Sequence, residues 1–282
     1  MMNIAHLESL INRSIIYLHF TTEEPISLGM YNEGNIRKIA SYIDKEGRQI
    51  FLIPSESIKG VMRSIASKIF RDMEGGFICE KGNHPDNEAN KLSIGIVKKE
   101  LSCILHEDLI NELTEDTIKQ FYISLNNCCV CRLFGSNMLA SKLVFDDAYF
   151  TNTQVLKYAS TSIDRKSRIA KENMLFTVES IKPDRVCLKI IADNITKPEN
   201  RLLSLLLDFI SKRGLVLGGL KSRGYGSLSL DRDRTNAKVV EFKINNISED
   251  NKIENINALL LNDNYYKEFG IEEYIKWLQN LA

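Results

Sequence analysis

The chain has 282 residues, enough for one large domain or two small ones. Its hydrophobic fraction of 44% is ordinary for a soluble globular protein, and no apolar run reaches the roughly 18 residues of a membrane-crossing helix. Lys+Arg and Asp+Glu both number 37, which excludes a globally basic nucleic-acid binder but leaves room for a local basic face.

Met1 to Glu8 lacks the basic start and apolar core of a signal peptide, so a cytoplasmic protein is expected. In that compartment clustered cysteines point to metal or catalysis rather than disulfides. Ser14 to Phe20, rich in β-branched and aromatic residues, predicts a first strand. Thr21 to Gln49 is polar and punctuated by Gly29, Gly34 and Gly47, and it predicts a long loop with at most short elements. Ile53-Pro54-Ser55-Glu56-Ser57 then opens a helix, with Ser55 or Ser57 as the N-cap. Ile58, Val61, Met62, Ile65, Ile69 and Phe70 recur at helical spacing and face a core. Lys59 and Arg63 lie four apart near the helix start. With the free N–H groups there they make a phosphate site; the plainer reading is a solvated basic edge.

Residues 74–90 are polar and hold Cys79 and His84, and two helices are expected between 91 and 124. Leu143-Val144-Phe145 predicts a strand that carries on to Phe150. Thr151 to Asn173 is polar and basic, with Lys157, Arg165, Lys166, Arg168 and Lys171. Met174–Ile181 and Arg185–Ala192 predict an antiparallel pair around Lys182-Pro183-Asp184. Arg201 to Arg213 predicts a helix that Gly214 ends, and Ser227 to Leu230 alternates as a strand. Lys238 to Ile244 predicts the last strand, Asn245 to Asn262 a loose connection, and Ile271 to Leu281 a short amphipathic helix with no chemistry of its own.

Between helix and strand lies Gly218-Gly219-Leu220-Lys221-Ser222-Arg223-Gly224-Tyr225-Gly226, with four of the chain's 15 glycines. Glycine lets a backbone approach a ligand closely, and successive free N–H groups form an anion nest. Lys221 and Arg223 add charge for phosphate, and the Tyr225 ring can stack on a base. The alternative is a glycine-rich turn with solvated charges. Neither the dinucleotide fingerprint nor the P-loop fits, by spacing or by order, so a polymeric phosphate ligand suits the loop better than a mononucleotide.

Cys128-x2-Cys131 is half of a common zinc pattern. Cys79 and His84 supply the other half in a Cys3His structural site, closed to water. Cys129 is an alternative to Cys128, and Cys103 and His106 are weaker candidates. Cys187 reads as plain core, and free buried thiols are the bland alternative for the whole set.

Four blocks, in order, resemble the RAMP superfamily of CRISPR-associated proteins, specifically the backbone subunits of type III (Csm-type) effector complexes. They are Ile53 to Ser64; Cys131-Arg132-Leu133-Phe134-Gly135-Ser136 with Leu143 to Tyr149; Ser162-Ile163-Asp164-Arg165 with Ala170 to Glu179; and the glycine-rich loop. The resemblance spans roughly residues 14 to 245. It implies an α+β protein with a ferredoxin-like (RRM-type) β-α-β-β-α-β core and long insertions. Residues 1–245 form this domain, with a zinc-bearing helical insertion at about 74–136 and a β-hairpin thumb at about 151–175, and 246–282 form a C-terminal helical extension. It implies a subunit that polymerises along CRISPR RNA with neighbouring copies of itself, binds complementary target RNA, and meets a guide-capping RAMP subunit and a separate nuclease. The RNA-binding residues expected on this basis are Ser55, Ser57, Lys59, Arg63, Arg132, Arg165, Gly218, Gly219, Lys221, Ser222, Arg223, Gly224 and Tyr225. The family's zinc site adds weight to Cys79, His84, Cys128 and Cys131 as ligands.

One departure bears on activity. Csm-type relatives cut target RNA with an aspartate in the loop after the first strand. Here that place falls near Ile36-Arg37-Lys38-Ile39, which has no carboxylate, while Asp44 takes a second position nearby. Glu33 and Asp44 are the candidate substitutes. A non-cleaving subunit is expected, with Mg2+ required only if the chain cuts RNA; the alternative is a metal-dependent endoribonuclease of the same type.

Overall fold

The computed structural model describes residues 10–34, 36–71, 128–136, 139–150, 153–163, 170–242, 250, 252–255 and 265–282. Its centre is β1 (Asn12–Thr21). Strand alternation puts Ile16, Leu18 and Phe20 on one buried face. β10 (Arg185–Asp193) pairs antiparallel with β1 along its length, from Arg13 opposite Asp193 to Thr21 opposite Arg185. β6 (Leu143–Phe145) flanks β10. On the other edge of β1, β13 (Asn236–Glu241) covers the first half and β12 (Ser227–Leu230) the last residues, with the two-residue β11 (Leu215–Val216) outside β12.

Two 17-residue helices cover the apolar face of this sheet: α1 (Ser55–Arg71) and α3 (Lys197–Arg213). Ile58, Met62, Ala66 and Phe70 of α1 meet Leu202, Leu203, Leu206, Leu207 and Ile210 of α3 over Val186, Leu188 and Ile190. Each of these side chains larger than alanine contributes roughly 1.5–3 kcal/mol by leaving water. The short α2 (Cys129–Phe134) packs on both helices. In chain order the elements run β1, α1, β6, β10, α3, β13, and in space the strands run β13, β1, β10, β6. That mixed α+β order is consistent with a ferredoxin-like core. β14 (Lys267–Gly270) extends the sheet beyond β13, and α4 (Ile271–Asn280) buries Ile271, Tyr274, Ile275 and Leu278 against α3.

Two smaller sheets grow from the crossovers. One orders β2 (Gly29–Glu33), β3 (Ile36–Ile39), β9 (Ala170–Lys182) and β8 (Gln154–Ile163), with β3 parallel to β9. The other orders β4 (Ser41–Ile43), β5 (Gln49–Ile53) and β7 (Ala148–Phe150).

The structure corrects the sequence reading at several points. The stretch from Thr21 to Gln49 is two hairpins rather than one loop: Gly34 and Gly47 take φ of +58° and +79° and turn the chain back each time. β9 and β10 are not a hairpin pair. β9 pairs with β8 and β3, β10 with β1 and β6, so Lys182-Pro183-Asp184 carries the chain from one sheet to another. The strand expected from Leu143 to Phe150 breaks at Asp146-Asp147, and its halves join different sheets. Cys187 is exposed because the inward positions of β10 are Val186, Leu188, Ile190 and Ala192. The helix ended by Gly214 starts at Lys197, one turn earlier than expected, because Thr196 and Glu199 form its cap. β13 is not the last strand, since β14 follows it. The helices expected between 91 and 124, together with Cys103 and His106, lie outside the described residues.

Candidate functional site

The glycine-rich loop is held by a strut made from the segment after β1. Gly219 N–H donates to Ser27 O at 2.7 Å, and Gly226 N–H to Pro25 O at 2.8 Å. The same strut is bonded on its other side to β9, where Ile26 and Ile181 exchange N–H···O bonds of 2.7 and 3.0 Å. This close approach requires glycine at two places. Gly218 and Gly226 sit at φ of +84° and +82°, and a Cβ on either would collide with a carbonyl oxygen, that of Ser27 or of Leu217.

Leu220 also has positive φ, +56°, although a branched side chain there costs about 1 kcal/mol relative to glycine. Its carbonyl accepts the Arg223 N–H at 2.8 Å, which starts a single 3-10 turn over Lys221–Arg223. The nest expected from the sequence is narrower than the whole loop. The N–H groups of Gly219, Arg223, Gly224, Tyr225 and Gly226 are bonded within the protein, which leaves those of Gly218, Leu220, Lys221 and Ser222, the last two at the start of the turn.

Two clefts open beside this strut. The larger, about 450 Å³, lies between the loop, the start of α1 and the β2–β3 hairpin. Ser27, Arg37, Ser57, Gly218, Gly219 and Lys221 line it, and Glu56 is its one carboxylate. Arg37 reaches it by lying across Gly29, where a Cβ would meet the arginine stem, and its Nη2 stands 3.4 Å from Gly29 O. The smaller cleft, about 340 Å³, shares Ser27, Arg37 and Gly219 with the first and adds Asn32, Gly34, Val178 and Leu220. Two cations and two hydroxyls lining an open cleft suit a phosphate chain.

Of the residues predicted from sequence, Ser57, Gly218, Gly219 and Lys221 come together in the larger cleft. Ser222, Arg223 and Gly224 are exposed at the loop tip, and Tyr225 stands edge-on to Tyr158 of β8, ring centres 6.3 Å apart. Others point elsewhere. Ser55 does not cap α1 with its own side chain; its N–H donates to Asp147 Oδ1 at 2.7 Å, which holds that carboxyl below its ordinary value. A carboxylate therefore already answers the helix N-terminus. Arg63 donates to Gly135 O at 2.6 Å and to Cys131 Sγ at 3.2 Å, so it binds α2 to α1. Lys59 lies on the Arg63 side of the helix; partial burial, then the Arg63 charge, push it below its ordinary value. Arg132 pairs with Glu199 at 2.7 Å. Arg165 lies outside the described residues.

Glu199 is the centre of a buried charge cluster. Its Oε1 also accepts Lys142 Nζ at 3.1 Å, and Lys142 in turn donates to Asn194 O at 2.9 Å. Burial alone would raise the Glu199 carboxyl, but the Thr196 hydroxyl, Lys142 and Arg132 outweigh it and hold it below its ordinary value.

The two candidate acids are occupied by structure. Glu33 pairs with Lys38 at 3.3 Å, and Lys38 also reaches Glu179 at 3.0 Å. Asp44 closes the β4–β5 turn: it accepts the Glu46 and Arg48 N–H groups at 2.9 Å each and the Arg48 side chain at 2.9 Å. These bonds, the Arg48 N–H first, hold Asp44 below its ordinary value. Neither acid lines either cleft. Cys128, Cys129 and Cys131 are buried, while Cys79 and His84 lie outside the described residues. Among the described residues no three His, Cys, Asp or Glu side chains gather as a metal site.

Arg37, Ser27, Asn32 and Leu220 are the site residues that sequence reasoning missed. The available signal was Gly29, Gly34 and the cation pair Arg37-Lys38 between apolar Ile36 and Ile39, which together mark a hairpin on which adjacent cations point to opposite faces. No helix among the described residues is long and apolar enough to cross a membrane. No curated protein matches the chain. The family model of the RAMP superfamily matches residues 25–229. That span is well over half of the chain and takes in the glycine-rich loop, the helix that opens at Pro54 and the β8–β9 hairpin. The chain belongs to the RAMP superfamily of CRISPR-associated, RNA-binding proteins.

Proposed function

We propose that the chain is a guide-RNA-binding backbone subunit of a multisubunit, type III-like (Csm-type) effector complex. It polymerises along CRISPR RNA beside copies of itself and positions complementary target RNA without cutting it. A guide-capping subunit and a separate nuclease complete its set of partners. The observation that carries this reading is the convergence of Arg37, Lys221, Ser57 and the glycine-rich backbone on one open cleft. An open cleft admits a strand passing through, and sequence-independent phosphate contacts are what a guide carrier needs. The antiparallel β8–β9 arms, paired from Gln154–Lys182 to Ile163–Ala170, serve as the thumb.

The absence of cutting rests on position. The stretch Ile36–Ile39, near which relatives of this type place their acid, has no carboxylate, and Glu33 and Asp44 are held by Lys38 and Arg48. Complex assembled with guide RNA and given labelled complementary RNA plus Mg2+ is expected to shift the target and leave it intact. Discrete cleavage products from that complex would contradict the non-cleaving reading, and no association with RNA at all would contradict the whole.

The same reading assigns structural zinc to Cys128 and Cys131 together with Cys79 and His84. Cys128 immediately precedes α2 and Cys131 lies in its first turn, and both are buried. The guanidinium of Arg63 beside Cys131 Sγ favours a thiolate, the form zinc takes. Purified protein is then expected to carry about one zinc per chain by elemental analysis, and Cys128→Ser with Cys131→Ser to carry none. Zinc-free wild type that folds normally would remove the assignment.

A further inference from the structure

We infer that the smaller cleft is a pocket for a nucleobase of the bound RNA, with Leu220 as the apolar surface against which the base lies. The inference rests on the larger cleft being the phosphate site. It begins with strain. Gly214, Gly218, Gly224 and Gly226 occupy positive φ with no penalty, whereas Leu220 sits at +56° among them. Glycine would be the relaxed choice there. The side chain is not kept for the core, because Leu220 belongs to neither of the buried hydrophobic clusters. It lines the smaller cleft instead, together with buried Val178.

The lining suits a base. Val178 and Leu220 give apolar walls, and Asn32 and Ser27 supply neutral polar groups for a base edge. None of the lining residues is a carboxylate. The two clefts share Ser27, Arg37 and Gly219, and the loop divides its side chains between them, Lys221 to the larger and Leu220 to the smaller. A strand with its phosphate at Arg37 and Lys221 has a base at hand for the second cleft.

The test measures full-length protein by fluorescence anisotropy against a labelled single-stranded RNA and the same strand with abasic riboses at alternate positions. Both strands carry every phosphate. Wild type is expected to prefer the intact strand by at least about fivefold, roughly what partial burial of one leucine side chain against a base contributes. Leu220→Gly, which relieves the backbone, is expected to bind both strands alike and to melt no lower than wild type. Leu220→Ala, which keeps the strained backbone but shortens the side chain, should lose the preference too. Wild type without a preference, or either variant with the wild-type ratio, overturns the pocket. Failure of the phosphate reading looks different: Arg37→Ala and Lys221→Ala would then bind the abasic strand as wild type does, with the same salt dependence.

Discussion

Glu199→Ala is expected to lower the melting temperature by about 10 °C, corresponding to a loss of roughly 3–4 kcal/mol. The substitution leaves Lys142 buried without its counter-charge and removes the carboxylate that pairs with Arg132. Unpaired buried charge is the costly case, since desolvation has been suffered and nothing offsets it. The figure sits toward the low end because Arg132 keeps a quarter of its side chain in water and can turn outward. The cap of α3 goes as well, adding about 1 kcal/mol. Glu199→Gln retains a capping group without the charge, so it should fall between wild type and Glu199→Ala. The pH dependence follows from the same carboxyl, whose folded value is depressed. Its contribution is complete above the ordinary glutamate range and is lost as pH falls through the lower folded value. Glu199→Ala should lack that acid-side limb. A melting temperature within a degree or so of wild type would mean that the cluster is solvated rather than buried.

Arg37→Ala combined with Lys221→Ala is expected to weaken single-stranded RNA binding by about 100-fold at moderate salt, since each charge-assisted bond to phosphate is worth roughly 1.5 kcal/mol. Both are exposed residues whose side chains line the larger cleft, so the fold should tolerate their removal. The loss should be uniform across RNA sequences, because phosphate contacts carry no base information. Arg63 offers a contrast. It holds the Gly135 carbonyl and Cys131 sulfur, and removing it acts on packing between α1 and α2 before it acts on any ligand.

Much of the core was legible because periodicity reports burial. The β-branched and aromatic run from Ser14 to Phe20 marked the central strand, and the helical spacing of Ile58, Met62 and Phe70 marked a face that the structure buries. The glycine loop was legible because so many glycines in so few residues imply backbone that only glycine can form. Pairing partners were not. β9 reads locally like the natural hairpin mate of β10, and only the competing claims of β8, β3 and β1 send the two strands to different sheets. The N-cap of α1 was misread because its acceptor, Asp147, lies 92 residues away in sequence. For the same reason Lys59 and Arg63 looked like site cations. Their local spacing says that they share a helix face, and it cannot say which neighbour that face meets. Arg37, set in a stretch that reads as loop, becomes a site residue only once the β2–β3 turn carries it across to Gly218 and Lys221.

The most direct test of the account is the slope of log binding constant against log salt for single-stranded RNA, measured for wild type and for Arg37→Ala with Lys221→Ala. Removing two phosphate partners of a single strand should make that slope shallower by about 1.4. An unchanged slope, with or without a change in affinity, would contradict the assignment of this cleft to the RNA backbone.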